Sequence, residues 1–291
     1  MSWQIWVLLS GIVTGLAQSV GKNQIHKISA LQMGVLRDVS GWIVAVVVWR
    51  ALGTGWEGWS SVIAMGNGAI VALGTALYFI ATRSNFTGSS VFGYLLSQVM
   101  IVVSSAIIFS EWVYFDPSTM LGIGNLSALV LTMAAMLLYV NSLKLGRKWI
   151  GLLVASALIN VVGNLVAKYY VGGAMNVWNY FFAEQTGLMI CGIVILYLRG
   201  QSLQVGSKNW RIGMVQGILS IIGPAIYLNM LVSAPLSIAS LIRRIAAILV
   251  TVVSGLWWYQ EGGVLTARAW ISLALAILAF GIVMGVNTPS S

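Results

Sequence analysis

The sequence predicts an all-α integral membrane protein of about ten transmembrane helices, arranged as two five-helix repeats of inverted topology. Hydrophobic residues make up 59% of the 291 residues and charged residues only 7%, with a mean hydropathy of +0.94. A soluble domain carries roughly 25% charged residues, so this chain has too little charge to cover a water-facing surface. Ten long apolar runs and an internal similarity between the two halves complete the case for this fold class.

The apolar runs have about the 20 residues that a helix needs to cross a bilayer. The predicted spans are Trp3–Val20, Leu31–Ala51, Val62–Ala81, Val91–Phe109, Met120–Val140, Ile150–Tyr170, Val177–Leu198, Ile212–Met230, Ile238–Trp258 and Trp270–Val286. No Lys or Arg precedes the first span and no cleavage-site pattern follows it, so we interpret it as a retained helix. Most of the 32 glycines lie inside spans, where small residues allow close helix packing. The G-x-x-x-G spacings at Gly11/Gly15 and Gly281/Gly285 leave a homodimer open.

The basic residues predict the orientation. The net charge of +9 does not indicate nucleic-acid binding, because the Lys and Arg residues are spread through short loops beside membrane lipid. One set of alternate loops holds Lys22, Lys27, Arg83, Lys144, Arg147, Lys148, Arg199, Lys208, Arg211 and Arg268. The other set holds little beyond Arg50 and Lys168. The positive-inside rule then predicts a multi-pass protein of the plasma (inner) membrane with both termini extracytoplasmic.

An internal repeat appears at an offset of roughly 150 residues. Val103-Ser-Ser-Ala-Ile-Ile-Phe-Ser-Glu111 matches Val253-Ser-Gly-Leu-Trp-Trp-Tyr-Gln-Glu261, and Ser89-Ser90 matches Ala239-Ser240. The repeats are residues 1–145 and 146–291. With five spans in each, the second enters the membrane from the opposite side, and the halves are related by an axis in the membrane plane. This architecture is typical of alternating access, with a solute held near the midplane.

Several of these features resemble the drug/metabolite transporter superfamily, most closely its ten-span EamA-type members. They are the Lys22…Arg37 spacing, Ala76-Leu-Tyr-Phe79, the Ser-Glu111 end of the fourth span, Tyr227, Ala234-Pro-Leu-Ser-Ile-Ala-Ser240 and Glu261. The resemblance covers nearly the whole chain. It implies a cavity lined by the first four spans of each half, with the fifth and tenth peripheral. It also implies a secondary transporter of a small metabolite or amphipathic compound. The sequence departs from this family in its orientation and in Arg243-Arg244.

Five charged residues lie within the predicted spans, where each costs about 2.5–3.5 kcal/mol near the bilayer centre. They are Arg37, Asp38, Glu184, Arg243 and Arg244. Because neighbours on a helix diverge, we expect at most one of Arg37 and Asp38 to face the cavity. Glu184 and the Arg243-Arg244 pair lie at similar depth from the same side. They are interpreted as an ion pair between helices, as a site for an anionic or zwitterionic solute, or as arginines that snorkel to the interface.

The predicted substrate-binding residues are Arg37, Tyr78, Gln98, Asn164, Glu184, Tyr227, Arg243 and Arg244. Asp38 and Glu184 are also candidates for coupling transport to protons, because they are carboxyl groups inside spans. Each uncharged polar residue in this set is more often a helix–helix hydrogen bond than a ligand contact. Glu111 and Glu261, at equivalent ends of the repeat, are expected to make structural contacts at a helix terminus or loop.

The sequence contains no His-Glu-x-x-His, Gly-x-Ser-x-Gly or phosphate-loop motif. We therefore expect no enzyme activity, no metal site and no cofactor, with a small-molecule solute and membrane lipid as the partners. Two alternatives to a transporter are a lipid scramblase and a non-transporting membrane scaffold. A third, an intramembrane enzyme acting on lipid, needs a nucleophile–base pair that the sequence does not offer.

Overall fold

The computed structural model describes residues 2–25, 28–82, 86–142, 147–258 and 267–287. These residues form α-helices joined by short connections, and no strand occurs among them. The helices are α1 (Trp3–Ile25), α2 (Ala30–Ala51), α3 (Trp59–Thr82), α4 (Phe86–Ile108), α5 (Met120–Ser142), α6 (Arg147–Tyr169), α7 (Val177–Leu198), α8 (Ser207–Leu231), α9 (Leu236–Trp257) and α10 (Ala267–Asn287). A 3-10 turn, Glu111–Phe115, follows α4, and a π-helical turn, Tyr170–Ala174, extends α6.

Eight of these helices are long and apolar enough to cross a membrane: α1 to α3 and α6 to α10. The apolar stretches described in the other two, Phe92–Ile108 in α4 and Met120–Ala135 in α5, are shorter. The prediction of a helical, multi-pass membrane protein is therefore confirmed. Eight of the ten predicted spans therefore meet the criterion of length and apolarity. The other two, in α4 and α5, stay predictions.

The helix boundaries follow local chemistry. Ser29 and Gln32 form a capping box at the start of α2, in which each side chain bonds the other's backbone N–H. Asn176 caps α7 by accepting the backbone N–H of Trp178 at 2.9 Å. Gly53, just after α2, has a φ of +63°, a conformation that glycine adopts without steric cost.

The helices pack in an order that is preserved when each first-half helix is exchanged with the helix five places later. Helix α1 contacts α8 and α9, and correspondingly α6 contacts α3 and α4. In the same way, α2 contacts α8 and α7 contacts α3. The remaining pairs are α2 with α7, α4 with α9 and α5 with α10, and each of these joins a helix to its own equivalent in the other half. Helix α9 is the most buried of the spanning helices. Of its apolar stretch 78% is buried, against 44% or less in the other spanning helices.

Glycines bring the backbones of neighbouring helices together at two crossings. A Cβ on Gly68 of α3 would overlap the backbone oxygen of Glu184, and one on Gly187 of α7 would overlap that of Met65. The predicted packing role of Gly11 and Gly15 is also confirmed, because both lie against α9. Around Gly281 and Gly285 a Cβ would meet nothing within 4 Å among the described residues.

One end of the helix bundle, called here the terminal end, holds the start of α1 and the end of α10. The Gln4 side chain donates to the backbone oxygen of Asn287 at 2.5 Å, and the Asn287 amide donates to Asn125 at the start of α5 at 2.8 Å. Glu57, between α2 and α3, accepts the backbone N–H of Asn176 at the start of α7. These contacts join the helix termini at that end.

Candidate functional site

A cavity of about 250 Å³ lies between the two halves of the chain. Its walls come from α1 to α4 and from α6 to α9. Neither α5 nor α10 contributes a wall residue in the part of the chain that the structure describes. The walls are mixed in character, with tyrosines and amides beside all five of the charged residues predicted inside spans.

Arg243 and Arg244 both border this cavity. The Arg243 guanidinium lies 4.3 Å from the ring centroid of Tyr227 on α8, and its Nη2 donates to Thr14 Oγ1 on α1 at 3.4 Å. The Arg244 guanidinium lies 5.8 Å from the ring centroid of Tyr94 on α4. Cation–π contacts of this kind hold an arginine in place without neutralising its charge. Both arginines therefore remain as cations at the cavity wall.

Glu184 also borders the cavity, but it is not an ion-pair partner of either arginine among the described residues. Its Oε1 accepts hydrogen bonds from Asn67 Nδ2 at 3.0 Å and from the Tyr180 hydroxyl at 3.4 Å. A direct Glu184–Arg243 or Glu184–Arg244 ion pair, one of the three interpretations of the sequence, is therefore not formed in this conformation. An amide on α3 and a phenol on α7 itself supply the hydrogen bonds to Glu184 instead.

Arg37 and Asp38 both line the cavity and pair with each other. Arg37 Nε donates to Asp38 Oδ1 at 2.7 Å, and the guanidinium lies 5.2 Å from the ring centroid of Phe79. The expectation that only one of the two would face the cavity is therefore wrong. Adjacent Cβ atoms do diverge on a helix, but the arginine side chain is long enough to reach the carboxylate of its neighbour.

The predicted uncharged residues divide into two groups. Tyr78, Asn164 and Tyr227 line the cavity. Gln98 is buried and is not part of the cavity wall. Its side-chain amide donates to the backbone oxygen of Ser237 and to Ser240 Oγ, at 3.3 and 3.2 Å. Gln98 therefore takes the helix–helix hydrogen-bonding role, here between α4 and α9.

Sequence reasoning missed several polar residues of the wall, of which Tyr94 is the clearest. The Gln18 side-chain amide donates a hydrogen bond to the Tyr94 hydroxyl, and its oxygen accepts one from the Tyr78 hydroxyl at 3.3 Å. These two bonds link α1, α3 and α4 across the cavity. Tyr94 lies opposite Arg244 at the repeat offset of roughly 150 residues. A search for polar or charged residues at equivalent repeat positions would have found it.

Glu111 and Lys168 hold the connection between α8 and α9 at the terminal end. Glu111 is buried, and its two carboxylate oxygens accept the backbone N–H groups of Leu236 and Ser237, at 2.7 and 2.8 Å. Lys168 Nζ donates to the backbone oxygens of Leu231 and Ala234, at 2.6 and 2.8 Å. The predicted helix-terminus role of Glu111 is thus confirmed. Glu261 lies outside the described residues.

Comparison with known proteins supports the fold alone. A solved structure, described only as a crystal structure of a protein, has a TM-score of 0.70 and 15% sequence identity to this chain. The match covers 96% of this chain and 98% of the other protein. No protein-family model matches the chain, and no curated protein is similar to it at a significant level. Nearly the whole chain therefore shares its fold with a protein of known structure.

Proposed function

We propose that this protein is a secondary transporter that moves a small solute across the membrane by alternating access between two inverted five-helix repeats. One observation carries the proposal: a polar, charged cavity lies between the halves and takes its walls from four helices of each. Charged groups are costly inside a membrane and mark a solute or ion pathway by default. The walls pair hydrogen-bonding and charged groups with aromatic rings, as small-molecule sites do.

The exchange symmetry of the helix contacts supports the alternating-access part of this proposal. Halves that make equivalent contacts can trade conformations, so states open to opposite sides of the membrane have similar energies. The sequence features that resemble EamA-type drug/metabolite transporters agree with the same architecture. By its charge distribution the protein would lie in the plasma (inner) membrane with both termini extracytoplasmic.

Solute flux in liposomes tests the proposal. Purified protein in detergent is first screened against a metabolite library by thermal unfolding, because a ligand stabilises the state that it binds. Solutes that raise the melting temperature are then followed into proteoliposomes, with protein-free liposomes as the control. Saturable, protein-dependent flux is the expected result. Lipid translocation without solute flux would favour a scramblase. Lipid hydrolysis would favour an enzyme, and the absence of solute flux, lipid translocation and hydrolysis would favour a scaffold.

A further inference from the structure

Two arginines of α9 border the cavity without a carboxylate bonded to either of them among the described residues. In the part of the chain that the structure describes, neither Arg243 nor Arg244 lies within ion-pair distance of an acidic side chain. Arg243 Nε is buried and has no hydrogen-bond partner there, so the guanidinium of this residue is only partly satisfied. A charged group left in this state inside a membrane protein needs a partner from elsewhere.

The acids of the cavity are already engaged by other groups. Asp38 is bonded to Arg37, and Glu184 accepts hydrogen bonds from Asn67 and Tyr180. With all side chains ionised, the wall carries three arginines and two acids, a net charge of +1. Because the Arg37 charge is balanced by its neighbour, the excess positive charge is centred on α9.

The groups around the two arginines suit an oxyanion attached to a flat organic body. The Tyr227 hydroxyl is buried and has no hydrogen-bond partner among the described residues, so it offers another donor beside Arg243. The rings of Tyr227 on α8 and Tyr94 on α4 lie against the two guanidiniums and also border the cavity. Arginine binds carboxylate and phosphate groups through two parallel N–H donors, which a lysine does not reproduce.

We propose that Arg243 and Arg244 form a subsite that binds the carboxylate or phosphate group of a small organic anion. The aromatic rings of Tyr94 and Tyr227 then flank the body of that anion. This inference rests on the proposed transport function, because it names the solute class of the same cavity. An anion of charge −1 cancels the excess charge of the wall, whereas a neutral or cationic solute leaves it uncompensated.

Direct binding to the purified full-length protein tests the subsite without requiring transport. The probes are benzoate and phenyl phosphate as the two oxyanions, and benzamide as a neutral molecule with the shape of benzoate. We expect calorimetry to detect at least one of the two anions, and the stronger of them identifies the head group as carboxylate or phosphate. Benzamide should bind at least tenfold more weakly than benzoate if the head group is a carboxylate.

The variants R243Q, R244Q, R243K and R244K locate the binding. At least one Gln variant should weaken anion binding about tenfold or more, and the matching Lys variant should restore only part of it. R50K and R50Q are the matched controls, because Arg50 is exposed at the end of α2 over Trp49 and outside the cavity. These two should bind the anion as the unmodified protein does. The melting temperature of each variant shows whether it is folded, and the Lys variants carry the test if a Gln variant unfolds.

Three results would overturn the subsite. They are no binding of either anion, equal binding of benzamide and benzoate with no binding of phenyl phosphate, and anion binding that survives in both folded Gln variants. Failure here is distinct from failure of the transport proposal. Flux of a solute combined with any one of these three binding results would refute the subsite and keep the transporter. Arginine-dependent anion binding with no flux of any solute would keep the subsite and refute the transporter.

Discussion

Arg37 and Asp38 share an ion pair inside α2, with side chains that are 16% and 7% exposed. We expect Arg37→Gln to reduce solute flux strongly while the protein still inserts into the membrane. Loss of the partner leaves Asp38 buried and uncompensated, which costs roughly 3–5 kcal/mol of unfolding free energy. Proteoliposome flux and thermal unfolding measure the two effects. The double variant Arg37→Gln/Asp38→Asn should recover stability, because it removes both charges. Unchanged flux in Arg37→Gln would contradict a functional role for this residue.

Glu184 is the residue at which a coupled proton is best tested. It faces the cavity without an ion-pair partner among the described residues, whereas Asp38 is tied to Arg37. We expect Glu184→Gln to abolish uptake driven by a proton gradient and to preserve exchange of solute across the membrane, because the amide cannot release a proton. Glu57→Gln, at the terminal end outside the cavity, is the control. Gradient-driven uptake that persists in Glu184→Gln would remove this residue from the coupling mechanism.

At the scale of the element, Glu111 stabilises the first turn of α9. Both of its oxygens accept hydrogen bonds from backbone N–H groups that have no partner within the helix. Its negative charge also lies at the positive end of the helix dipole, which is a favourable interaction. Glu111→Gln keeps one acceptor and places an amide donor against the second N–H. We expect it to lower the free energy of unfolding by about 1–3 kcal/mol, measured by thermal unfolding.

Asp116→Asn is the matched control for Glu111→Gln, in the same connection. Asp116 is half-buried, and hydrogen bonds from Ser118, its backbone N–H above all, lower the pKa of Asp116. The ionised Asp116 side chain therefore adds a small stabilisation of the folded state at any pH above the ordinary aspartate pKa. This stabilisation is lost as the pH falls from that value through the lowered pKa. At neutral pH we expect a much smaller loss of stability than in Glu111→Gln. An equal loss in both variants would argue against a specific cap on α9.

The crossing of α3 and α7 offers a paired test on one helix. A Cβ on Gly68 would overlap the backbone oxygen of Glu184, whereas a Cβ on Gly66 would meet nothing within 4 Å. We expect Gly68→Ala to push the helices apart, displace Glu184 and lower stability by roughly 1–3 kcal/mol. Gly66→Ala should leave melting temperature and solute binding nearly unchanged. If the two variants behave alike, helix propensity rather than close approach governs this crossing.

At the scale of the whole molecule, the charge distribution predicts how the bundle lies in the membrane. Ten of the fifteen Lys and Arg residues lie in the alternate loops that the sequence predicts to be cytoplasmic. We expect a reporter fused after Ser291 to be active only outside the cytoplasm, because Lys- and Arg-rich short loops are retained inside. A fusion after Lys144, in the predicted cytoplasmic loop between the halves, serves as the opposite control. A reporter that is active in the cytoplasm at Ser291 would reverse the orientation.

The sequence by itself determined the helical membrane class, since 59% hydrophobic content in runs of spanning length leaves few other folds. It also placed Arg37, Asp38, Glu184, Arg243 and Arg244 as the charged residues of the interior, because a charge within an apolar run is visible in one dimension. Glu111 was expected at a helix terminus or loop because it ends the fourth apolar run at a position equivalent to Glu261 in the repeat. The position of a residue along a span is a local property, and local patterns report it well.

Only the tertiary structure decided which of these groups meet. Arg37 pairs with its own neighbour and Glu184 with Asn67 and Tyr180, while Gln98 bonds α9 outside the cavity wall. Partner choice depends on helix rotation and on how closely backbones approach at glycines such as Gly68, and both are set by contacts far apart in the chain. A long side chain such as arginine reaches in several directions from one Cα. Its partner therefore follows from the packing of the whole bundle and not from its spacing in sequence.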